Sequence, residues 1–216
     1  MERTTIGFID HNPRVHSMFL GPSIDGLEGD FDVISIKSSE GYPAEIYNRI
    51  IDESKNDIIV LTHQDVSFSS DFLERIYSVF EVVDDWGALG IVGVDNNGRY
   101  WWGKDENCFE LNTLDCCLIV IKKSHEIRFD SYNFDDFHLY VEDYCCRVRN
   151  NGYRVFTIPI DSKEANNDMP HYSERFKDKS FAMHHSVTVR ERGTSWGRYK
   201  EYKGRLINLW PDAKTT

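Results

Sequence analysis

Asp57-Ile58-Ile59-Val60-Leu61-Thr62-His63-Gln64-Asp65-Val66 is a short apolar run that empties into a polar triplet. Ile58 to Leu61 has the length and β-branched content of a strand buried on both faces, and such strands belong to parallel sheets covered by helices. In an open α/β sheet, ligands bind just beyond the carboxyl ends of the strands. Asp65 therefore stands where a carboxylate can hold a hard divalent cation, which in turn can hold a diphosphate. Polar triplets after strands are also ordinary solvated turns. The choice rests on the rest of the chain.

With 216 residues, 40% hydrophobic and 28% charged, the chain suits one globular α/β domain with a sizeable core. Its net charge of −11 argues against a nucleic-acid partner, since a phosphate backbone calls for a basic face. A phosphorylated small ligand stays open, because one bound cation reverses the local field. No apolar run reaches the length of a membrane span, and Met1 to Thr5 lacks the apolar core of a secretory signal. The five cysteines include two adjacent pairs, Cys116-Cys117 and Cys145-Cys146, and no Cys-x-x-Cys. That pattern fits buried thiols in a reducing compartment better than disulfides or zinc, so a cytoplasmic location is expected.

Outward from the central strand, the N-terminal half alternates strand and helix. Thr5 to Asp10 reads as a strand that ends in the turn His11-Asn12-Pro13, and Phe31 to Ile36 as another that ends at Lys37-Ser38-Ser39. Pro43 starts a helix that runs to Ser54. Ser69-Ser70-Asp71 caps a second helix, with Phe72, Ile76, Val79, Phe80 and Val83 as its buried face. Ala88 to Val94 and Cys116 to Ile121 read as strands. Glu142 to Asn150 reads as a helix closed by Asn151-Gly152, and Tyr153 to Ile160 as a last strand. Residues 161–179 read as a polar loop. The stripe from Trp196 to Trp210 reads as an amphipathic C-terminal helical tail over residues 190–216, for core packing or peripheral membrane contact. One domain spans 1–216, a mostly parallel sheet covered by helices.

Three blocks together resemble the GT-A fold nucleotide-sugar glycosyltransferases, in a family-2-like form. Thr62-His63-Gln64-Asp65-Val66 resembles their metal-binding triplet, with His63 where the usual first aspartate stands. Leu114 to Ser124 is similar to the block that builds the sugar pocket. Tyr140 to Val155, with an acid, Arg147 and Gly152-Tyr153 in register, resembles the acidic helix and the strand after it. The resemblance covers roughly residues 5–190. It implies a Rossmann-like GT-A domain and a bacterial enzyme of cell-surface polysaccharide synthesis, at the cytoplasmic face of the membrane. That enzyme moves a sugar from a nucleotide-diphosphate donor, UDP first among the candidates, to a glycan or lipid-linked hydroxyl acceptor, with inversion and with Mn2+ or Mg2+. The alternative is a GT-A-like module that binds a nucleotide or glycan without turnover.

The resemblance also distributes roles. Asp143, with Glu142 beside it, is the expected general base; adjacent helical residues point about 100° apart, so only one of the two faces the reaction squarely. The other reading of Asp143 is an acid in a helix's first turn, paired with Arg147 one turn on. Asp65 and a late histidine, His184, are the expected metal ligands. Asp10, Ser38, Asn48, His63 and Gln64 are expected at the nucleotide, Ser38 falling where the family often places a base-reading aspartate. Trp101, Trp102 and Asp115 are expected at the donor or acceptor sugar, with rim packing the other use of the tryptophans.

Overall fold

The computed structural model describes residues 3–102, 108–158, 182–184 and 196–215. Its centre is a six-stranded sheet of β1 (Thr4–Asp10), β2 (Phe31–Lys37), β3 (Ile58–Thr62), β5 (Trp86–Gly90), β9 (Leu118–Lys122) and β10 (Arg154–Thr157). Between β3 and β5 runs β4 (Val66–Phe68), which belongs to a separate pair. The order across the large sheet is β10-β5-β9-β3-β1-β2, and every neighbour pair is parallel except those made by β9. All five residues of β3 are buried. Ile58 and Val60 pack into one core and Ile59 and Leu61 into the other, as period-2 alternation requires of a strand with two covered faces. Helices α3 (Pro43–Glu53) and α5 (Tyr140–Asn150) contribute to one core and α4 (Phe72–Phe80) to the other.

The antiparallel β9 has a consequence for chemistry. Its start lies at the edge where β1, β2 and β3 end: Thr62 pairs with Leu118, and the His63 amide donates to the Cys117 carbonyl at 2.9 Å. Asp115, Cys116 and Cys117 thus meet the exit of the central strand. In the same way β1 and β2 finish side by side at Asp10 and Lys37.

Several local expectations need correction. Pro13–Met18 and Leu20–Asp25 are short helices, α1 and α2; the Asn12 Oδ1 accepts from the amides of Arg14 and Val15, so the turn signal is also a helix cap. Asp71 stands at the cap position of α4 but makes no capping bond; its carboxylate takes Ser69 and Arg75 instead. Ala88 to Val94 is two strands, with a bend between Gly90 and β6 (Val92–Val94). Strand β6 joins a small antiparallel sheet with β7 (Tyr100–Trp102) and β8 (Thr113–Leu114). Gly93 makes this possible, for a Cβ there would sit 2.2 Å from the Thr113 carbonyl oxygen. The expected C-cap is present, with Gly152 at φ 84°.

The second small pairing is β4 with β11 (Ala182–His184), antiparallel. The last helix is α6 (Trp196–Leu209), whose Tyr202 and Leu206 are buried in the core; packing, not a free apolar face, accounts for this part of the stripe. Among the described residues no helix is long and apolar enough to cross a membrane. The expected loop at 161–179 lies outside the described residues.

Candidate functional site

A cleft of about 270 Å³ opens where β1, β2 and β3 end. Ile9 and His11 come from the first strand and its exit, and Ser38 from the residue after β2. Tyr42, Pro43 and Ile46 come from the start of α3, Thr62 to Gln64 from the central strand, and Asp136, Phe137 and Tyr140 from the approach to α5. Backbone strain marks that approach. Leu139 is at φ 61°, ψ 13°, a left-handed conformation unfavourable by roughly 1–2 kcal/mol for a side chain with a Cβ. It swings the chain into α5 so that the Tyr140 hydroxyl lies 3.4 Å from His63 Nε2.

Gln64 is the floor of the cleft and has no solvent exposure. Its Oε1 accepts from the amides of His11 and Asn12, at 3.0 and 2.8 Å, and its Nε2 donates to Asp10 Oδ1 at 3.1 Å. Gln64 and Asp10 therefore shape the β1 exit. His63 and Ser38 line the cleft directly.

Beside the cleft lies an acidic neighbourhood. Asp65 is fully buried, with its Oδ1 3.9 Å from His63 Nδ1. Asp115 is half-buried and accepts from the Cys117 amide at 3.0 Å. Glu142 is 4% exposed, in the first turn of α5. Burial pushes the Cys116 thiol well up, and the charges of Asp115, Glu142 and Asp65 push it further. Burial likewise raises the Tyr100 phenol, with Asp115 and Glu142 adding to it.

Asp143, expected to face the reacting sugar, has both carboxylate oxygens engaged within the fold. It is fully buried, Arg147 Nε donates to its Oδ2 at 2.6 Å and Trp210 Nε1 to its Oδ1 at 2.7 Å. Arg147 also bridges to Asp130. Burial raises the Asp143 pKa, and Arg147 and Trp210 pull it back without cancelling the rise. A carboxylate with both oxygens committed to a guanidinium and an indole anchors the C-terminal segment to α5. The Asn48 side chain donates to the Phe129 carbonyl and accepts from the Phe129 amide, each at 2.9 Å, so it clamps a loop, and it is not among the residues that line the cleft.

Trp101 donates its indole N–H to Asp95 at 3.0 Å and stacks on Phe109, which is rim packing on the small sheet. Trp102 lies in the same strand, and its side chain is outside the description. The backbone of His184 stands opposite Val66, one residue beyond Asp65; its side chain is likewise outside the description. Among the described residues no three His, Cys, Asp or Glu side chains converge to hold an ion unaided. Asp136, Phe137 and Tyr42 are cleft residues that sequence reasoning missed. For Asp136 and Phe137 the one signal is the acidic and aromatic run Phe134-Asp135-Asp136-Phe137.

The sheet order, the lone antiparallel strand and the edge cleft define a GT-A fold, the fold of nucleotide-sugar glycosyltransferases. Residues 26–115 match the model of a glycosyltransferase-like family. A 1–349 fragment of S. aureus TarS superposes with a TM-score of 0.54 at 12% identity, over 73% of this chain and 58% of the fragment, so the chain spans little more than half its length. GalNAc-T7, crystallised with UDP, GalNAc and Mn2+, gives a TM-score of 0.58 at 5% identity, over 74% of this chain and 43% of the other. A Drosophila β-1,4-galactosyltransferase 7 mutant in complex with manganese, UDP-Gal and xylobiose gives 0.58 at 11% identity, over 94% of this chain and 80% of the other. A comparison with curated proteins finds no match.

Proposed function

We propose that this chain is a glycosyltransferase that takes a sugar from a nucleotide diphosphate, UDP in the first instance, and delivers it to a hydroxyl of a glycan or lipid-linked acceptor. The observation that carries the reading is the cleft at the ends of β1, β2 and β3, with the buried carboxylate of Asp65 directly after its lining residues His63 and Gln64. The manganese and UDP in two proteins of similar fold support it.

The residues present suit a divalent cation. Asp65 is a buried carboxylate at a strand end with an imidazole beside it, and His184 lies on the paired strand. One or two carboxylates are the usual protein share of a Mg2+ or Mn2+ whose other ligands are phosphates and waters. Such an ion would supply charge neutralisation for the leaving diphosphate.

The chain's own residues do the rest. Tyr42, Ile9, Ile46 and Tyr140 offer apolar surface for the nucleoside and exclude water from it. Asp115, at the start of the sugar-pocket block, accepts from donor-sugar hydroxyls. Glu142 is the base. As the acceptor oxygen bonds to the anomeric carbon, its proton passes to Glu142 and the bond to the diphosphate breaks, the electron pair leaving with the phosphate. A single displacement of this kind inverts the anomeric centre. The test is UDP release from a panel of UDP-sugars with Mn2+, comparing the wild type with Glu142→Gln, Asp65→Asn and Asp143→Asn. A well-placed base contributes about 10²–10⁴-fold. Glu142→Gln is expected to lose at least the lower figure, and turnover equal to wild type would remove Glu142 from the mechanism.

A further inference from the structure

Asp136 supplies the one carboxylate among the described side chains that line the cleft, and no lysine or arginine joins it there. Its Oδ1 accepts from the Phe137 amide at 2.7 Å, and its Oδ2 accepts from Arg198 of α6 at 2.5 Å. A carboxylate oxygen has two lone-pair sites, so each oxygen retains room for a donor from a ligand. The same loop is tied to α6 twice more: the Tyr202 hydroxyl donates to Asp135 at 2.6 Å, and Arg205 donates to the Asn133 carbonyl at 2.9 Å. Arg198 is 56% exposed, and an ion pair that open adds little to folding stability. What the pair does is aim Asp136.

A fixed negative charge repels the diphosphate and attracts N–H and O–H groups. A nucleoside carries such donors on its base and its ribose. The ring of His63 packs 5.8 Å from that of Phe137, so Asp136 shares this small cleft with the strand end that leads to Asp65. Ser38 stands where a carboxylate after β2 was sought, and Asp136 brings one into the same cleft from the far side of the sequence. The geometry points to Asp136 as a specificity-determining residue that accepts hydrogen bonds from the nucleoside end of the donor, with Arg198 as its positioning residue. This assignment rests on the nucleotide-sugar reading of the cleft.

Calorimetric titration of the full chain with UDP, 2′-deoxy-UDP and N3-methyl-UDP tests it, using the wild type, Asp136→Asn and Arg198→Ala. A hydrogen bond to a charged group corresponds to about tenfold or more in affinity. Asp136→Asn is expected to weaken UDP by that factor. One analogue is expected to bind the wild type weakly and to lose nothing further in Asp136→Asn; which one it is says whether ribose or base is read. Arg198→Ala is expected to weaken UDP less, with an unchanged melting temperature. UDP bound equally well by all three proteins, or both analogues bound by the wild type as tightly as UDP, overturns the assignment. A wild type that binds no UDP overturns the reading of the cleft itself, and the assignment falls with it.

Discussion

Arg147→Met isolates the role of Asp143. The substitution keeps the length of the side chain and removes the guanidinium that bridges Asp143 and Asp130. Asp143 has no exposure, so the change leaves a buried carboxylate with the Trp210 indole as its remaining side-chain donor. Breaking a buried pair costs about 3–5 kcal/mol. Arg147 is one-third exposed and water can replace part of it, which puts the expected loss near the lower figure, about 3 kcal/mol. In a chain of this size that is a fall of roughly 6–12 °C in melting temperature.

The pH dependence gives the sign. Asp143 already has a folded pKa above its unfolded value, so its ionisation costs native stability as pH rises through that folded value. Without Arg147 the folded pKa climbs further. Asp130 acts in the same sense: burial pushes it up, but hydrogen bonds from Asn133 and the charge of Arg147 outweigh that and hold it low. Its share of stability is present above the unfolded pKa and shrinks in the variant. The deficit against wild type is therefore full near pH 7 and fades as pH falls through the raised Asp143 value. Urea unfolding followed by tryptophan fluorescence at pH 7 and in mild acid measures it. A loss below about 1 kcal/mol, or one that does not change with pH, refutes the structural assignment of Asp143.

Three further outcomes follow from the same coordinates. Gln64→Leu removes the acceptor shared by two half-buried backbone amides, so a loss of about 1–3 kcal/mol is expected in urea unfolding, together with weaker nucleotide binding as the β1 exit loosens. Gly93→Ala forces a Cβ against the Thr113 carbonyl, which is backbone and cannot swing aside; a loss of about 1–3 kcal/mol or more is expected in thermal melts, with lower activity because the small sheet leads into Asp115. Native alkylation with iodoacetamide near pH 8 is expected to reach half-buried Cys108 first and to spare Cys117, Cys145 and Cys146, since burial raises these thiols, Cys146 to about 11; mass spectrometry reads the order.

Much of the fold was legible because it is written in short-range pattern. The apolar run at Ile58 marks a two-faced strand, Pro43 marks a helix start and Gly152 a helix end, and each does so through neighbours in the chain. The helices at Pro13 and Leu20 were not legible, since six residues show no period. The break after Gly90 depends on the close approach of Thr113 and Leu114, which no local pattern encodes. The site was legible at its strand ends and illegible where long-range partners decide. Choosing between Glu142 and Asp143 requires knowing that Trp210, 67 residues on, takes one of them. That the Asn48 amide binds both backbone groups of Phe129, 81 residues away, is equally invisible to local pattern. Asp136 lines the cleft on a loop that bonds to α6, with Arg198 62 residues on, a partner no local pattern reveals.

A crystal structure of the chain with UDP and Mn2+ tests the account most directly. The expected density has the base and ribose in the cleft between Tyr42 and Tyr140, the diphosphate toward Asp65, and Glu142 facing the vacant sugar position while Asp143 stays on Arg147 and Trp210. UDP bound elsewhere, for instance in the polar cleft beside Arg147 and Trp210, or bound at the strand ends with Asp143 turned toward it, contradicts the account.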